Sequence, residues 1–180
     1  MLLSSFALLA CNGGVSSSAG SPPTSLEKPW NGEVANGEIN GQRWIYKSGN
    51  AHIFRKNLKQ YLVLHLWNTP PVEDPCAETK GSILQVRLLF PYRVGDWRID
   101  PQDPFNANLS ILFSDRQFQP GPLDNMSADE GAISIFALDK GMVSGYFYGS
   151  FKNPKVANTL VQGGFLLPLC KGLVSEGDNF

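Results

Sequence analysis

The amino-acid sequence predicts an all-β fold, either an antiparallel β-sandwich or a barrel, built from about eight to nine short strands. Three observations lead to this prediction. Apolar and polar residues alternate with a period of two in several segments, as in a strand that buries one face. No segment of the sequence keeps the helical apolar period of roughly 3.6 residues over three turns. The chain has 18 glycines and 13 prolines, which favour frequent turns over long helices.

The alternation defines the strands in chain order. We interpret eight segments as strands or hairpins: residues 38–46, 51–56, 61–67, 82–90, 108–114, 132–138, 142–151 and 160–169. The third segment is the clearest, because its even-numbered residues are all leucine. Its other face carries Tyr61, Val63, His65 and Trp67. Asp139-Lys140-Gly141 indicates a tight hairpin turn, and Asn40-Gly41 indicates a turn or a bulge, since asparagine and glycine accept the backbone angles of hairpin turns.

The first ten residues form an apolar leader that is too short to span a membrane, which takes about 20 apolar residues. Its length is that of a signal-peptide core. The motif Leu8-Leu9-Ala10-Cys11 resembles the lipobox of bacterial lipoproteins. This resemblance implies that residues 1–10 are cleaved and that Cys11 receives acyl chains such as palmitate, which hold the protein on a membrane. Because Asn12 rather than aspartate follows the cysteine, it also implies the outer membrane of a bacterial cell envelope.

The rest of the chain divides into a tether and one domain. After the lipidated cysteine, residues 11–29 are rich in Gly, Ser and Pro and are predicted to be a flexible linker. Residues 30–180 are predicted to form a single β domain, a size that suits one hydrophobic core. Signal peptides begin with positive charge, whereas the first cation here is Lys28, so we expect a basic segment upstream of residue 1.

Two cysteines, Cys76 and Cys170, remain once Cys11 is assigned to lipid. Exported proteins fold under oxidising conditions, so this even remainder predicts one disulfide between them. Two buried or separately reactive thiols are the alternative. No histidine lies close to either thiol in sequence, which argues against a catalytic cysteine.

Charge and motif content exclude several classes of protein. Fifteen Lys+Arg and sixteen Asp+Glu give a net charge of −1, unlike the strongly basic surface of a nucleic-acid-binding domain. The sequence has no nucleophile elbow, phosphate loop or zinc-protease motif, so no cofactor and no catalytic residue is predicted. If residues 57–60 form a hairpin turn, His52 faces His65. No third ligand is visible beside this pair, and no metal site is predicted.

Aromatic residues are the remaining candidates for ligand binding, because aromatic faces bind sugars and peptides by stacking and by burying area. The candidate ligand-binding residues are Tyr61, His65, Trp67, Trp97, Tyr146 and Tyr148. The alternative is that a second β layer packs over these rings. Residues 90–106, which include Trp97 and Phe105, are expected to form a rim loop, where binding residues tend to collect.

The body of the chain also resembles small bacterial lipoproteins of unknown function. The resemblance rests on Asn40-Gly41-Gln42-Arg43-Trp44 near the start and on Gly163-Gly164-Phe165 through Cys170 near the end, and it implies no activity. We therefore expect a lipid-anchored, non-catalytic β domain that binds or scaffolds a protein or glycan partner. The alternatives are a periplasmic or surface hydrolase or accessory subunit, and a small-ligand carrier with a barrel cavity. A packed interior would argue against the carrier, and an enzyme would need convergent polar groups in a cleft.

Overall fold

A computed structural model of the protein describes residues 33–76, 84–103, 105–113, 126–152 and 159–174. The predicted all-β class is confirmed, since these residues form eleven strands and no helix. The strands are β1 (Asn36–Ile39), β2 (Gln42–Ile45), β3 (Ser48–Lys56), β4 (Lys59–Trp67), β5 (Leu84–Pro91), β6 (Gly95–Arg98), β7 (Asn108–Phe113), β8 (Met126–Ser127), β9 (Glu130–Asp139), β10 (Met142–Phe151) and β11 (Thr159–Val174). Within the described ranges there is consequently no helix able to cross a membrane. The predicted signal peptide, Cys11 and the linker lie outside the described residues.

All eleven strands belong to one curled sheet that resembles a half-barrel. Nine of them follow the order β6-β9-β10-β11-β3-β4-β5-β7-β8, and the β1–β2 hairpin attaches beside β11. The expected antiparallel arrangement holds for every ladder except β3–β11, whose strands run parallel. The sheet is mixed at this place because β11 is 16 residues long. Its first half pairs with β1 and its second half runs beside β3.

The two ends of the sheet approach each other at the corner between β8 and β9. The Ala128 amide donates a hydrogen bond of 2.8 Å to the Leu109 carbonyl in β7, and the Asp129 amide donates one of 2.9 Å to the Ser150 carbonyl in β10. Gly149 permits this approach, because a Cβ at that position would lie 2.8 Å from the Leu109 side chain. The curl of the sheet thus encloses an interior.

Apolar side chains fill that interior. Each long strand contributes every second residue, as the period-two pattern predicts. On β4 the three leucines point inward and are fully buried, as expected from the sequence. Trp44, Phe90 and Phe147 are the largest fully buried side chains. A second, smaller apolar cluster lies on the outer face of the sheet and consists of Phe54, Tyr61, Val63 and Leu89, with Phe105 packed against it.

Three two-residue turns close the hairpins β1–β2, β3–β4 and β9–β10. They are formed by Asn40-Gly41, Asn57-Leu58 and Lys140-Gly141, and all six residues have φ between 49° and 75°. The turns predicted at Asn40-Gly41 and Lys140-Gly141 are confirmed. Glycine occupies the second position of these two turns, whereas leucine occupies it in the third. Leu58 therefore takes a backbone conformation that disfavours L side chains, and it is 96% exposed.

The four-residue turn expected at 57–60 is wrong, and the correction changes the register of β3 and β4. Two residues make the turn, so Lys56 pairs with Lys59. His52 consequently faces Val63 rather than His65. The two histidines still share the outer face, as diagonal neighbours instead of a directly opposed pair.

Residues 90–106 are not a continuous rim loop, because they contain β6. This strand pairs with β9 at the end of the sheet, with Trp97 opposite Ile133. Trp97 points into the interior cluster and is 5% exposed. Apolar packing of this ring explains why the segment forms a strand despite its aspartates and prolines.

The predicted disulfide between Cys76 and Cys170 is confirmed, with a Cα–Cα distance of 5.5 Å. It joins the segment after β4 to β11, across a sequence separation of 94 residues. Asn50 on β3 reinforces the link, because its side-chain amide donates to the Pro75 carbonyl over 3.1 Å. The segment after β4 is therefore fixed against the outer edge of the β3–β11 pair.

Candidate functional site

An open cleft of about 530 Å³ lies at the tip of the β3–β4 hairpin. One side belongs to the hairpin and the other to the chain that follows β5 and precedes β7. The Tyr92 amide joins the two sides, since it donates to the Gln60 carbonyl over 3.0 Å and extends the β4–β5 register. The cleft is lined by Lys56, Asn57, Lys59, Gln60, Tyr61, Pro91, Tyr92, Arg93, Asp103, Phe105 and Asn106.

Aromatic rings form one wall of this hairpin cleft. The ring centroids of Tyr61 and Phe105 are 5.7 Å apart, with their planes at 60°. Phe54 supports Tyr61 from behind at 6.2 Å, and Tyr61 is only 9% exposed. Asp103 orients Phe105, because its carboxylate accepts a hydrogen bond from the Phe105 amide over 3.3 Å. Tyr92 also lines the cleft, but its ring packs against the interior cluster, so a ligand would meet chiefly the half-buried ring of Phe105.

The charge of the hairpin cleft is predominantly positive. Lys56, Lys59 and Arg93 line it, against the single carboxylate of Asp103. The Lys56 ammonium lies over the face of the Phe105 ring, 4.2 Å from the ring centroid, and forms a cation–π contact with it. Among the described lining residues there is no serine, cysteine or histidine to act as a nucleophile or base. Stacking surfaces, amides and cations are the chemistry of reversible binding.

The far end of the outer face of β4 carries a different group. His65 stacks on Trp67 with ring centroids 5.9 Å apart and planes at 13°, and it meets His52 edge-on at 5.9 Å. The Gln85 side-chain amide donates to Nδ1 of His65. Burial, together with smaller contributions from the nearby charges of His52 and Arg87, lowers the pKa of His65 to about 3.

His65 is consequently neutral at physiological pH and serves packing and hydrogen bonding. A general base works best when its pKa lies near the working pH, so this imidazole is poorly suited to that role. In the part of the chain that the structure describes, no group of three or more His, Cys, Asp or Glu side chains comes together. His52 and His65 supply two of the three or four protein ligands that a zinc ion takes.

The disulfide-linked segment after β4 covers this second end. A narrow cleft of about 180 Å³ remains between that segment and the sheet, much smaller than the hairpin cleft. It is lined by Tyr46, Lys47, Ser48, Gly49, Trp67, Pro71, Val72, Pro75 and Pro168. The Ser48 hydroxyl donates to the Thr69 carbonyl over 2.7 Å, which fixes the segment at its start. The smaller cleft is therefore confined by bonds at both ends of its covering segment.

The sequence-predicted aromatic residues do not form one site. Tyr61 lines the hairpin cleft, whereas His65 and Trp67 lie at the other end of the same strand face. Trp97 lies in the interior, 5.4 Å from the Phe90 ring.

Tyr146 and Tyr148 lie half-buried on the outer face of β10, far along the sheet from β4. Burial raises the pKa of the Tyr146 hydroxyl, with a further rise from the charge of Glu33 and from Tyr148. The two rings are two residues apart on one strand and so share a face. They form a separate aromatic surface from the hairpin cleft.

Sequence reasoning missed most of the polar lining of the hairpin cleft, including Lys56, Lys59, Tyr92 and Arg93. One available signal was the presence of lysines on both sides of the Asn57-Leu58 turn. The chain matches no protein-family model, and no curated protein or solved structure matches it.

Proposed function

We propose that this protein is a lipid-anchored lipoprotein of a bacterial cell envelope whose β domain binds a glycan at the hairpin cleft without catalysing a reaction. The observation that carries the binding proposal is the cleft itself, an open groove of about 530 Å³ with aromatic rings on one side. The apolar face of a sugar ring packs well on such rings. The lipid anchor at Cys11 and the outer-membrane location rest on the lipobox resemblance.

Polar groups in the hairpin cleft suit the hydroxyls of a sugar. Asn57 and Asn106 each bring a side-chain amide, which can both donate and accept hydrogen bonds. The cleft is open to solvent, which suits part of a sugar chain better than a small enclosed molecule. The interior of the curled sheet is filled by large apolar side chains, and this packing disfavours the carrier alternative.

The hydrolase alternative lacks a second acid in the hairpin cleft. Glycoside hydrolysis generally uses two carboxylates on either side of the scissile bond. Asp103 is the one carboxylate among the described lining residues, and it already accepts the Phe105 amide. Binding without bond cleavage is therefore the better account of this cleft.

Glycan binding is tested by titrating the full-length protein with an array of envelope oligosaccharides. We expect Phe105→Ala to weaken binding about tenfold, since an aromatic contact contributes about 0.5–1.5 kcal/mol beyond its buried area. Tyr148→Ala removes an aromatic ring from β10 and serves as the matched control, with an unchanged Kd. The proposal is wrong if no oligosaccharide binds, or if Tyr148→Ala and not Phe105→Ala abolishes binding.

The lipid anchor is tested separately in a bacterial host. We expect Cys11→Ser to abolish incorporation of labelled palmitate and to move the protein from the membrane fraction to the soluble fraction, because acyl chains supply the membrane affinity. Cys76→Ser is the matched control and should keep both label and membrane association. Unchanged membrane retention of Cys11→Ser would contradict the anchor.

A further inference from the structure

We infer that the glycan bound in the hairpin cleft is acidic, and that Lys59 and Arg93 bind its carboxylate or phosphate group. This inference rests on the proposed glycan-binding function and names the class of ligand. It is carried by the three cations that line this cleft, two of which are directly opposed across neighbouring strands.

Three cations line the hairpin cleft: Lys56, Lys59 and Arg93. Lys56 and Lys59 are a directly opposed pair in the β3–β4 register. On the other side of β4, Tyr61 pairs with Pro91, and the Tyr92 amide donates to the Gln60 carbonyl. The chain then bends, and the Arg93 amide donates to the Pro91 carbonyl over 2.8 Å. Like charges directly opposite one another destabilise a sheet, so the Lys56–Lys59 pair is a source of repulsion that a bound anion would relieve.

This concentration of positive charge is unusual for the chain. The whole protein carries a net charge of −1, yet the hairpin cleft has three cations and one carboxylate. Asp103 turns towards its own backbone, where it accepts the Phe105 amide. Within the described part of the chain neither Lys59 nor Arg93 forms an ion pair. The Lys56 ammonium lies 4.2 Å from the centroid of the Phe105 ring, and the Arg93 guanidinium lies 5.9 Å from that of the Trp97 ring. A guanidinium that stacks on a ring still has N–H groups at its rim that can donate, so we assign Lys59 and Arg93 to the ligand.

The chemistry of these two side chains specifies an oxyanion. The guanidinium of arginine binds carboxylate or phosphate through two parallel hydrogen bonds, and the lysine ammonium adds a point charge. The neighbouring ring of Phe105 supplies the stacking surface for the sugar that carries this group. An acidic sugar can contact both the cations and the aromatic ring of the cleft. A neutral sugar leaves the repulsion between the cations uncompensated.

The test compares matched oligosaccharides on the full-length protein. The probes are a tetrasaccharide of uronic acids, the methyl ester of that tetrasaccharide, and a neutral-sugar tetrasaccharide with one phosphate. We expect the two acidic probes to bind about tenfold more tightly than the ester at low salt, with the advantage shrinking as salt is raised. Tighter binding of either acidic probe supports the inference, and the stronger of the two identifies the group as carboxylate or phosphate.

Variants that remove a positive charge test whether Lys59 and Arg93 cause the preference for the acidic probes. Lys59→Gln and Arg93→Gln should each lower the affinity for the acidic probe to near that of the ester and leave ester binding unchanged. Lys171→Gln, at an exposed position on β11, is the matched control and should keep the preference. Equal binding of acid and ester that is lost in Phe105→Ala would overturn the inference while the proposed function stands. No binding of any probe would overturn both.

Discussion

The two ends of the outer face of β4 carry the same kind of aromatic side chain in different surroundings. At one end, Tyr61 forms a wall of an open, positively charged cleft. At the other, Trp67 lines a narrow cleft beneath a segment held by the Cys76–Cys170 disulfide, and the neutral His65 stacks on Trp67. The strand pattern is identical at both ends, so what covers the strand decides whether a ring is available to a ligand or serves as packing.

Breaking the disulfide should have the largest effect on this comparison. We expect Cys76→Ser to lower the free energy of unfolding by about 4–5 kcal/mol, because a cross-link over 94 residues removes much entropy from the unfolded chain. Urea titration under non-reducing conditions measures the change. Ligand affinity at the hairpin cleft should stay within about twofold, since the cleft lies at the opposite end of β4. A loss below about 1 kcal/mol would contradict the role assigned to the disulfide.

Lowering the pH should reduce the free energy of unfolding, because His65 at the covered end of β4 resists protonation in the folded state. Its pKa is about 3 in the folded protein, against 6.5 for an ordinary histidine. The unfolded state therefore binds the additional proton, and stability present above pH 6.5 is lost as the pH falls towards 3. At pH 5 the loss is about 2 kcal/mol.

This pH dependence is measured as the difference in unfolding free energy between pH 7 and pH 5. We expect His65→Gln to reduce the difference by about 2 kcal/mol relative to the wild type. Burial also lowers the pKa of His52, which is less buried, so His52→Gln should retain most of the dependence. Equal pH dependence in the wild type and His65→Gln would show that His65 takes up its proton in the folded state.

The smallest effect is expected at the hairpin tip. Leu58→Gly should raise the unfolding free energy by about 0.5–1 kcal/mol, because glycine accepts the φ of 66° without steric cost. Gly141→Leu is the mirror control and should lose a similar amount, since a Cβ there would meet no atom within 4 Å and the cost is conformational. Thermal unfolding of the two variants checks both signs. A clear destabilisation by Leu58→Gly would mean that the exposed leucine contributes contacts to the fold.

Local sequence patterns predicted much of the fold. The inward leucines of β4 followed from period-two alternation, and the Lys140-Gly141 turn followed from glycine at a position of positive φ. The same rule misplaced the β3–β4 turn, because Leu58 is a residue rarely found in that conformation. The disulfide followed from cysteine count and compartment, which need no knowledge of structure.

The candidate site was less predictable because it depends on non-local register. Tyr61 was identified from the polar-facing pattern of its own strand. The presence of Lys59 and Arg93 in one cleft depends instead on how β4 pairs with the chain after β5, which no local pattern specifies. Trp97 was expected at the surface from its aspartate-rich neighbourhood, whereas its pairing in β6 turns the ring inward.

The disulfide also determines how the domain transmits mechanical load. If the protein is pulled at its two ends, tension can peel β1 to β4 from the sheet only as far as Cys76, where the covalent bond passes the force directly to Cys170. Strands β5 to β10 lie between the two cysteines in sequence and bear no tension while the bond is intact. Residues 33–76 then set the extension at about 150 Å, at about 3.5 Å per residue. The β3–β4 side of the hairpin cleft lies within residues 33–76 and is lost in either case, whereas reducing the bond would also place β5 to β10 in the path of the force.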